Sequence, residues 1–148
     1  MRITKRTNIA IRVLMFCTVH RDRLVTKHEI AKRCNASENH LAQVINQLAQ
    51  LGLLNTQRGR NGGLELARPP HDITIGEIFR IMEAPVPLTE CFADVDNSCP
   101  LTVACRLKFA LQEAAEAFYL RLDAVTLESL VCNNDDLMRI LAPEPCFT

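Results

Sequence analysis

Seven cysteines occur in the 148 residues, and three of them, Cys91, Cys99 and Cys105, stand as C-x7-C-x5-C with Pro100 beside the middle member. Thiolates gathered in a loop suit zinc or an iron–sulfur cluster, both of which take soft sulfur ligands. The spacing is neither the paired C-x2-C of zinc ribbons nor a ferredoxin run, and a fourth ligand must come from elsewhere. A plainer reading makes free cysteines small buried apolar groups. It suits Cys17 and Cys34, which occupy core-facing positions of helical patterns. It suits the other three less well, because their Pro-, Asp- and Asn-rich surroundings read as a surface loop. Cys132 and Cys146, in or near the C-terminal stretch, are read as bystanders. An odd cysteine count without a secretory signal fits the reducing cytoplasm better than a disulfide framework.

A second set of residues has the chemistry to hold nucleic acid. Arg58-Gly59-Arg60-Asn61-Gly62-Gly63 lies between two strand-like runs, Leu53–Thr56 and Leu64–Leu66, and forms a hairpin tip. Its glycines let the backbone approach a sugar-phosphate chain, and its arginines supply charge to phosphates or to a narrow minor groove. Upstream, Asn39, Gln43, Asn46 and Gln50 share one helical face with His40 at its flank, opposite Leu41, Val44, Ile45 and Leu48. Asn and Gln can bond adenine N6 and N7 bidentately. The net charge of zero conceals an asymmetry. Residues 1–68 hold twelve basic against four acidic side chains, or +8, and the remainder holds five against thirteen, or −8. Such a division points to nucleic acid at the basic end.

The elements needed to position these groups are legible in local signals. Ala10, Val13, Leu14 and Cys17 follow the i, i+3, i+4, i+7 pattern of an amphipathic first helix, and Arg12 interrupts what would otherwise imitate a signal peptide. Thr26 and Glu29 form a capping box for a short helix to about Cys34, and Ser37 caps a second to about Gln50. Together they describe a helix-turn-helix followed by a wing. Thr26, Ser37, Asn39, His40, Gln43, Arg58, Arg60, Asn61 and Gly62 make up the expected DNA-contacting set. Pro69-Pro70 marks a boundary, which divides the chain into a DNA-binding unit, 1–72, and a thiol loop with a dimerisation helix, 73–148. Thr74 and Glu77 form another capping box, opening a helix to about Glu83.

A long helix from about Leu101 to Asp123 carries Ala104, Leu107, Leu111, Ala114, Phe118 and Leu122 along one stripe. Phe109, Ala110, Ala117 and Leu120 fall outside it, so a second surface, most simply another copy of the chain, is expected to cover them. His20, His28 and His71 are read as surface or helix-end residues, and the stretch from Asn133 to Thr148 as partly ordered at best. The fold class is therefore mainly α, a winged helix-turn-helix with a small β-hairpin wing and a long C-terminal dimerisation helix. No run is apolar enough to cross a bilayer, and 48% apolar content excludes a disordered chain.

Taken as a set, Arg2-Ile3-Thr4-Lys5, Ser37-Glu38-Asn39-His40, Ile45-Asn46-Gln47-Leu48, the wing, and Glu90-Cys91-Phe92 with Cys99-Pro100-Leu101 and Cys105-Arg106-Leu107 resemble the iron-sulfur winged-helix transcriptional repressors. That family includes NsrR, IscR and RirA. Within it the resemblance is closest to the nitric-oxide-sensing NsrR branch, through the recognition helix and the segment from Leu122 to Leu130. It implies a bacterial homodimer on a double-stranded operator, away from any membrane. It also implies a cluster, 4Fe-4S in preference to 2Fe-2S, held by Cys91, Cys99 and Cys105. The fourth position departs from the pattern: Asn8 stands where NsrR proteins carry an Asp supplied by the partner subunit, and Lys108 stands where IscR proteins carry a His. Asn8 and the longer x7 gap are instead RirA-like features, so iron status is an alternative signal to nitric oxide. A zinc-stabilised DNA-binding protein without a sensing role and a redox protein are the readings from other classes. No dinucleotide fingerprint or nucleophile–base pair supports an enzyme.

Overall fold

The computed structural model describes residues 3–83, 87–93 and 97–142. The Ala84-Pro85-Val86 stop and Cys146 lie outside the described residues. The chain runs α1 (Lys5–Val19), α2 (Lys27–Cys34), α3 (Glu38–Gln50), β1 (Leu54–Gln57), β2 (Gly63–Leu66), α4 (Ile75–Glu83), α5 (Arg106–Asp123), α6 (Leu127–Val131) and α7 (Asp135–Leu141). Short 3-10 turns occupy Pro70–Asp72, Glu90–Phe92 and Thr102–Ala104. It is a mainly helical winged helix-turn-helix, as the local signals predict.

α1 is the central element. It begins at Thr4, whose hydroxyl accepts from the Thr7 amide, and it buries Ile9, Ala10, Val13, Leu14, Phe16 and Cys17. Residues on more than one of its faces are buried because α2, α3, α4, α6, α7 and β2 all pack on it. α2 starts with the reciprocal Thr26–Glu29 capping box and ends at Asn35, which takes a left-handed conformation (φ 47°) and turns the chain into α3. Ser37 caps α3, whose Leu41, Val44, Ile45 and Leu48 are buried at helical spacing.

β1 and β2 pair antiparallel with Leu54 opposite Leu66 and Gln57 opposite Gly63. The loop before α2 joins their base, since Val25 and Leu64 exchange both backbone hydrogen bonds at 3.0 and 2.8 Å. That approach explains Gly63: a Cβ there would lie 2.8 Å from the Val25 carbonyl oxygen. At Gly62 a Cβ would sit 2.2 Å from the Gln57 oxygen, so the wing tip can close only on glycine.

α4 opens with the Thr74 hydroxyl accepting from the Glu77 amide at 3.1 Å. The predicted return bond gives way to a stronger partner, for the Glu77 carboxylate takes Arg68 at 2.6 Å and ties the wing base to α4. One hydrophobic cluster collects residues from α1, α2, α3 and the wing together with Ile73, Ile75, Ile78, Phe79, Met82, Leu127 and Leu141. It therefore crosses Pro69-Pro70 without interruption.

α5 starts later than expected, at Arg106, because a 3-10 turn occupies Thr102–Ala104. Its inward side keeps Phe118 and Leu122 of the expected stripe, adds Tyr119, and leaves the N-terminal members uncovered. Phe118, Tyr119 and Leu122 are the residues packed on the core, while Leu107 is 66% exposed and Ala114 is exposed. Phe118 meets Phe79 edge-on at 5.7 Å, and Arg80 reaches Asp123 at 2.5 Å and Glu116 at 3.6 Å. Gly76 makes this close contact possible, since a Cβ would fall 2.0 Å from Asp123 Oδ1. The C-terminal stretch is more ordered than predicted up to Ala142: Asn134 caps α7, and Leu141 is buried against the core.

Candidate functional site

The basic end presents most of its expected contact residues to solvent. Asn39, His40, Gln43, Asn46 and Gln50 are exposed on α3, as are Arg58, Arg60 and Asn61 on the wing, with Gly62 half-buried behind them. Gly59 has φ +105°, and the Gly62 amide closes the tip onto the Gly59 carbonyl at 3.0 Å. Thr26 and Ser37 are exposed at the two helix starts, where their hydroxyls cap the first turns. Both starts direct amides and the positive end of the helix dipole outward, which suits phosphate. Neither Arg58 nor Arg60 is paired with an acid among the described residues.

The thiol loop runs from the end of α4 to the start of α5. Cys91 lies in the Glu90–Phe92 turn, Cys99 precedes the next turn, and Cys105 occupies the N-cap position of α5. All three are half-buried free thiols. Thr89 Oγ1 lies 2.9 Å from Cys91 Sγ. The Ser98 hydroxyl donates to Glu90 at 3.1 Å, and the Asn97 side-chain amide donates to Thr102 at 3.0 Å, which folds the loop back on itself. Among the described residues no three His, Cys, Asp or Glu side chains stand close enough to hold a metal ion. The donor set nonetheless fits an iron–sulfur cluster: three accessible thiols on one loop, with a cationic Arg106 and Lys108 just beyond the last of them. Lys108, at the position where a His ligand was sought, lies over the Phe92 ring at 6.0 Å.

Cys17 and Cys34 are buried, as expected. Burial, and then the neighbouring Cys34, push the Cys17 thiol up to about 12, which removes its thiolate chemistry. Asn8 is exposed on α1 and lines a small cavity of about 120 Å³ with Arg12, Ser37 and His40. The candidate fourth-ligand position thus adjoins the start of the recognition helix.

Several arrangements escaped the sequence. Glu83, the last residue of α4, accepts from the Thr4 amide at 3.0 Å, from the Thr4 hydroxyl at 2.8 Å and from the Thr7 hydroxyl. Burial raises its carboxyl, but the Thr7 and Thr4 bonds outweigh that and hold it below the usual carboxylate range. The beginning of α1 is therefore clamped to the segment that leads into the thiol loop. His20 does sit at a helix end, yet it is only 6% exposed and its Nε2 donates to the Leu141 carbonyl at 3.0 Å. His28 has a partner too, Glu38 Oε1 at 3.1 Å, and His71 is exposed beside Asp72 at 3.6 Å. The Thr4-x-x-Thr7 repeat is the one sequence signal for the clamp, while nothing local marks the His20 contact or the Gly76 approach.

A profile of the Rrf2 family, described as iron-dependent transcriptional regulators, matches residues 3–133. The HTH-type transcriptional regulator NsrR of Geobacillus kaustophilus is 42% identical over 142 residues, covering 95% of this chain and 97% of that protein. Among solved structures, CymR, the global cysteine regulator of B. subtilis, superposes with a TM-score of 0.65 at 26% identity, over 88% of this chain and 96% of its own. IscR of T. potens superposes with a TM-score of 0.67 at 24% identity, over 98% and 94%.

Proposed function

The chain belongs to the Rrf2 family of iron-dependent transcriptional regulators, and on that premise we propose that it is a dimeric repressor whose operator binding is governed by nitric oxide through an iron–sulfur cluster on Cys91, Cys99 and Cys105. One observation carries the reading. The thiol loop is inserted between α4, whose Glu83 clamps the start of α1, and α5, which has no buried residue in a single chain. A loop so placed is mechanically joined to the helix-turn-helix on one side and to an unfilled interface on the other.

Each residue has a part. Leu107, Phe109 and Leu120 of α5, each 60% exposed or more, are the surface a second copy covers. Asn8 of a second copy, exposed on α1, would offer a neutral amide as the fourth ligand that the family resemblance implies. Cys91, Cys99 and Cys105 would hold a 4Fe-4S cluster, which when bound would supply iron open to nitric oxide or to loss under iron scarcity. The loop residues hold or release the spacing of the two α3 helices, which must match half-sites about 34 Å apart. Asn39, His40 and Gln43 read base edges, while Arg58, Arg60, Asn61, Gly62 and the helix starts at Thr26 and Ser37 take the backbone. The division at residue 72 is one of role, reading before it and sensing after it, within the bacterial cytoplasm.

Anaerobic purification followed by titration on operator DNA tests this. We expect a brown protein that leaves the operator at low nitric oxide stoichiometry. Release only by an iron chelator would assign the iron-responsive reading that the Asn8 position favours, and a colourless protein with stoichiometric zinc would overturn the sensor.

A further inference from the structure

The DNA-facing end of the helix-turn-helix contains an acid. Glu38, the first residue of α3, stands in a segment of formal charge +8, at a place where phosphate is expected. Its two oxygens are both engaged with α2: Oε2 lies 3.2 Å from Lys27 Nζ and Oε1 lies 3.1 Å from His28 Nδ1. His28 is otherwise open, with its side chain 80% exposed.

The geometry decides which imidazole nitrogen carries the proton. A carboxylate only accepts, so Nδ1–H donates to Glu38 and the neutral ring is left with Nε2 as an acceptor. An acceptor cannot bond a phosphate oxygen. On protonation Nε2 becomes a charged donor, and the Lys27–Glu38–His28 cluster changes from zero to +1. The His28 bond, and then Lys27, hold the Glu38 carboxyl below its ordinary range, so it remains an ionised acceptor. The remaining charged neighbours do not replace it. Lys32 follows His28 by one turn of α2, and Glu29 is turned away to Thr26 at 2.7 Å and Arg23 at 2.9 Å. On α1, Arg12 is engaged with the Cys34 carbonyl at 3.1 Å.

We propose that Glu38 orients His28 as a proton-gated phosphate contact, so that DNA binding takes up a proton from solvent at Nε2 and tightens as pH falls. This rests on the DNA-binding reading of α2 and α3 and not on the metal. The test is fluorescence anisotropy of the full-length protein, from one preparation, on a duplex that it selects from a random-sequence pool, at about pH 6 and about pH 8 and fixed salt. Wild type is expected to bind roughly two- to fivefold tighter at the lower pH, the span of an exposed ion pair. His28→Gln should lose most of that step, His40 being the other exposed imidazole at the start of α3. Glu38→Gln should bind more tightly at the higher pH, because a negative charge has left the phosphate face, and should show a smaller step. A step of full size in His28→Gln, or none in wild type, overturns the proposal. Absence of binding at either pH would remove the DNA-binding reading itself, and this inference with it.

Discussion

The helix-turn-helix with its wing and the thiol loop with α5 are joined in one chain but completed to different degrees within it. In the first, α3 buries Leu41, Val44, Ile45 and Leu48, each helix start is capped, and the wing base is held by Val25, Leu64 and the Arg68–Glu77 pair. In the second, α5 has no fully buried residue, only Phe118, Tyr119 and Leu122 pack on the core, and Leu101, Val103, Leu107, Phe109 and Leu120 are exposed. This 18-residue helix meets the core through Phe118, Tyr119 and Leu122 and leaves much of its apolar girth to solvent. The helix-turn-helix and wing are thus complete within one chain, whereas the proposed sensing region leaves apolar surface uncovered and its three thiols free. A regulator needs that inequality, because a signal can shift only an element whose alternatives are close in energy.

The contrast can be broken first at the thiols. Cys99→Ala should abolish iron content and visible absorption while leaving the helical circular dichroism of the basic end in place; retained iron would show that Cys99 is not a ligand. Next in size is packing. Leu48→Ala, at a fully buried site, should lower stability by about 2–5 kcal/mol in urea melts. Leu107→Ala, 66% exposed, should cost less than about 0.5 kcal/mol in the dilute monomer, and Leu107→Glu should instead shift the sedimentation coefficient from dimer to monomer. Equal melts for the two alanine variants would mean that the regions do not differ as described.

Smaller effects sharpen the same comparison. Arg58→Ala and Arg60→Ala should each lower the salt dependence of DNA binding by about one unit without altering base preference, and Gln43→Ala should alter base preference. Smallest is the clamp between the regions. The Glu83 carboxyl is depressed in the folded state, so its contribution is complete above the unfolded value of about 4.3 and is lost as pH falls through the folded value. Glu83→Gln should therefore be less stable than wild type near neutrality, with the gap closing in acid; a gap independent of pH would assign the loss to packing.

The caps at Thr26, Ser37 and Thr74, the recognition helix and the wing were legible because each depends on hydrogen bonds and spacing within a few residues. The capping box at Thr74 was legible only in part, since Arg68 competes for Glu77 from a direction that local pattern does not report. The stripe on α5 is legible at Phe118 and Leu122 but not at its N-terminal end, for a related reason. Its apolar residues cover much of the girth, and periodicity alone does not say which side α4 will take.

The sequence by itself determined where the capped helices α2, α3 and α4 start, which end of the chain is basic, and which three thiols share a loop, because capping, charge and chain proximity are local properties. The tertiary structure decided the partners of Glu83, His20 and Gly76, which lie 76 to 79, 121 and 47 residues distant in the chain. It also decided that α5 turns Phe118, Tyr119 and Leu122 inward and leaves Leu107, Phe109 and Leu120 uncovered. Such contacts follow from how helices pack against one another, and packing selects among faces that an apolar sequence leaves equivalent.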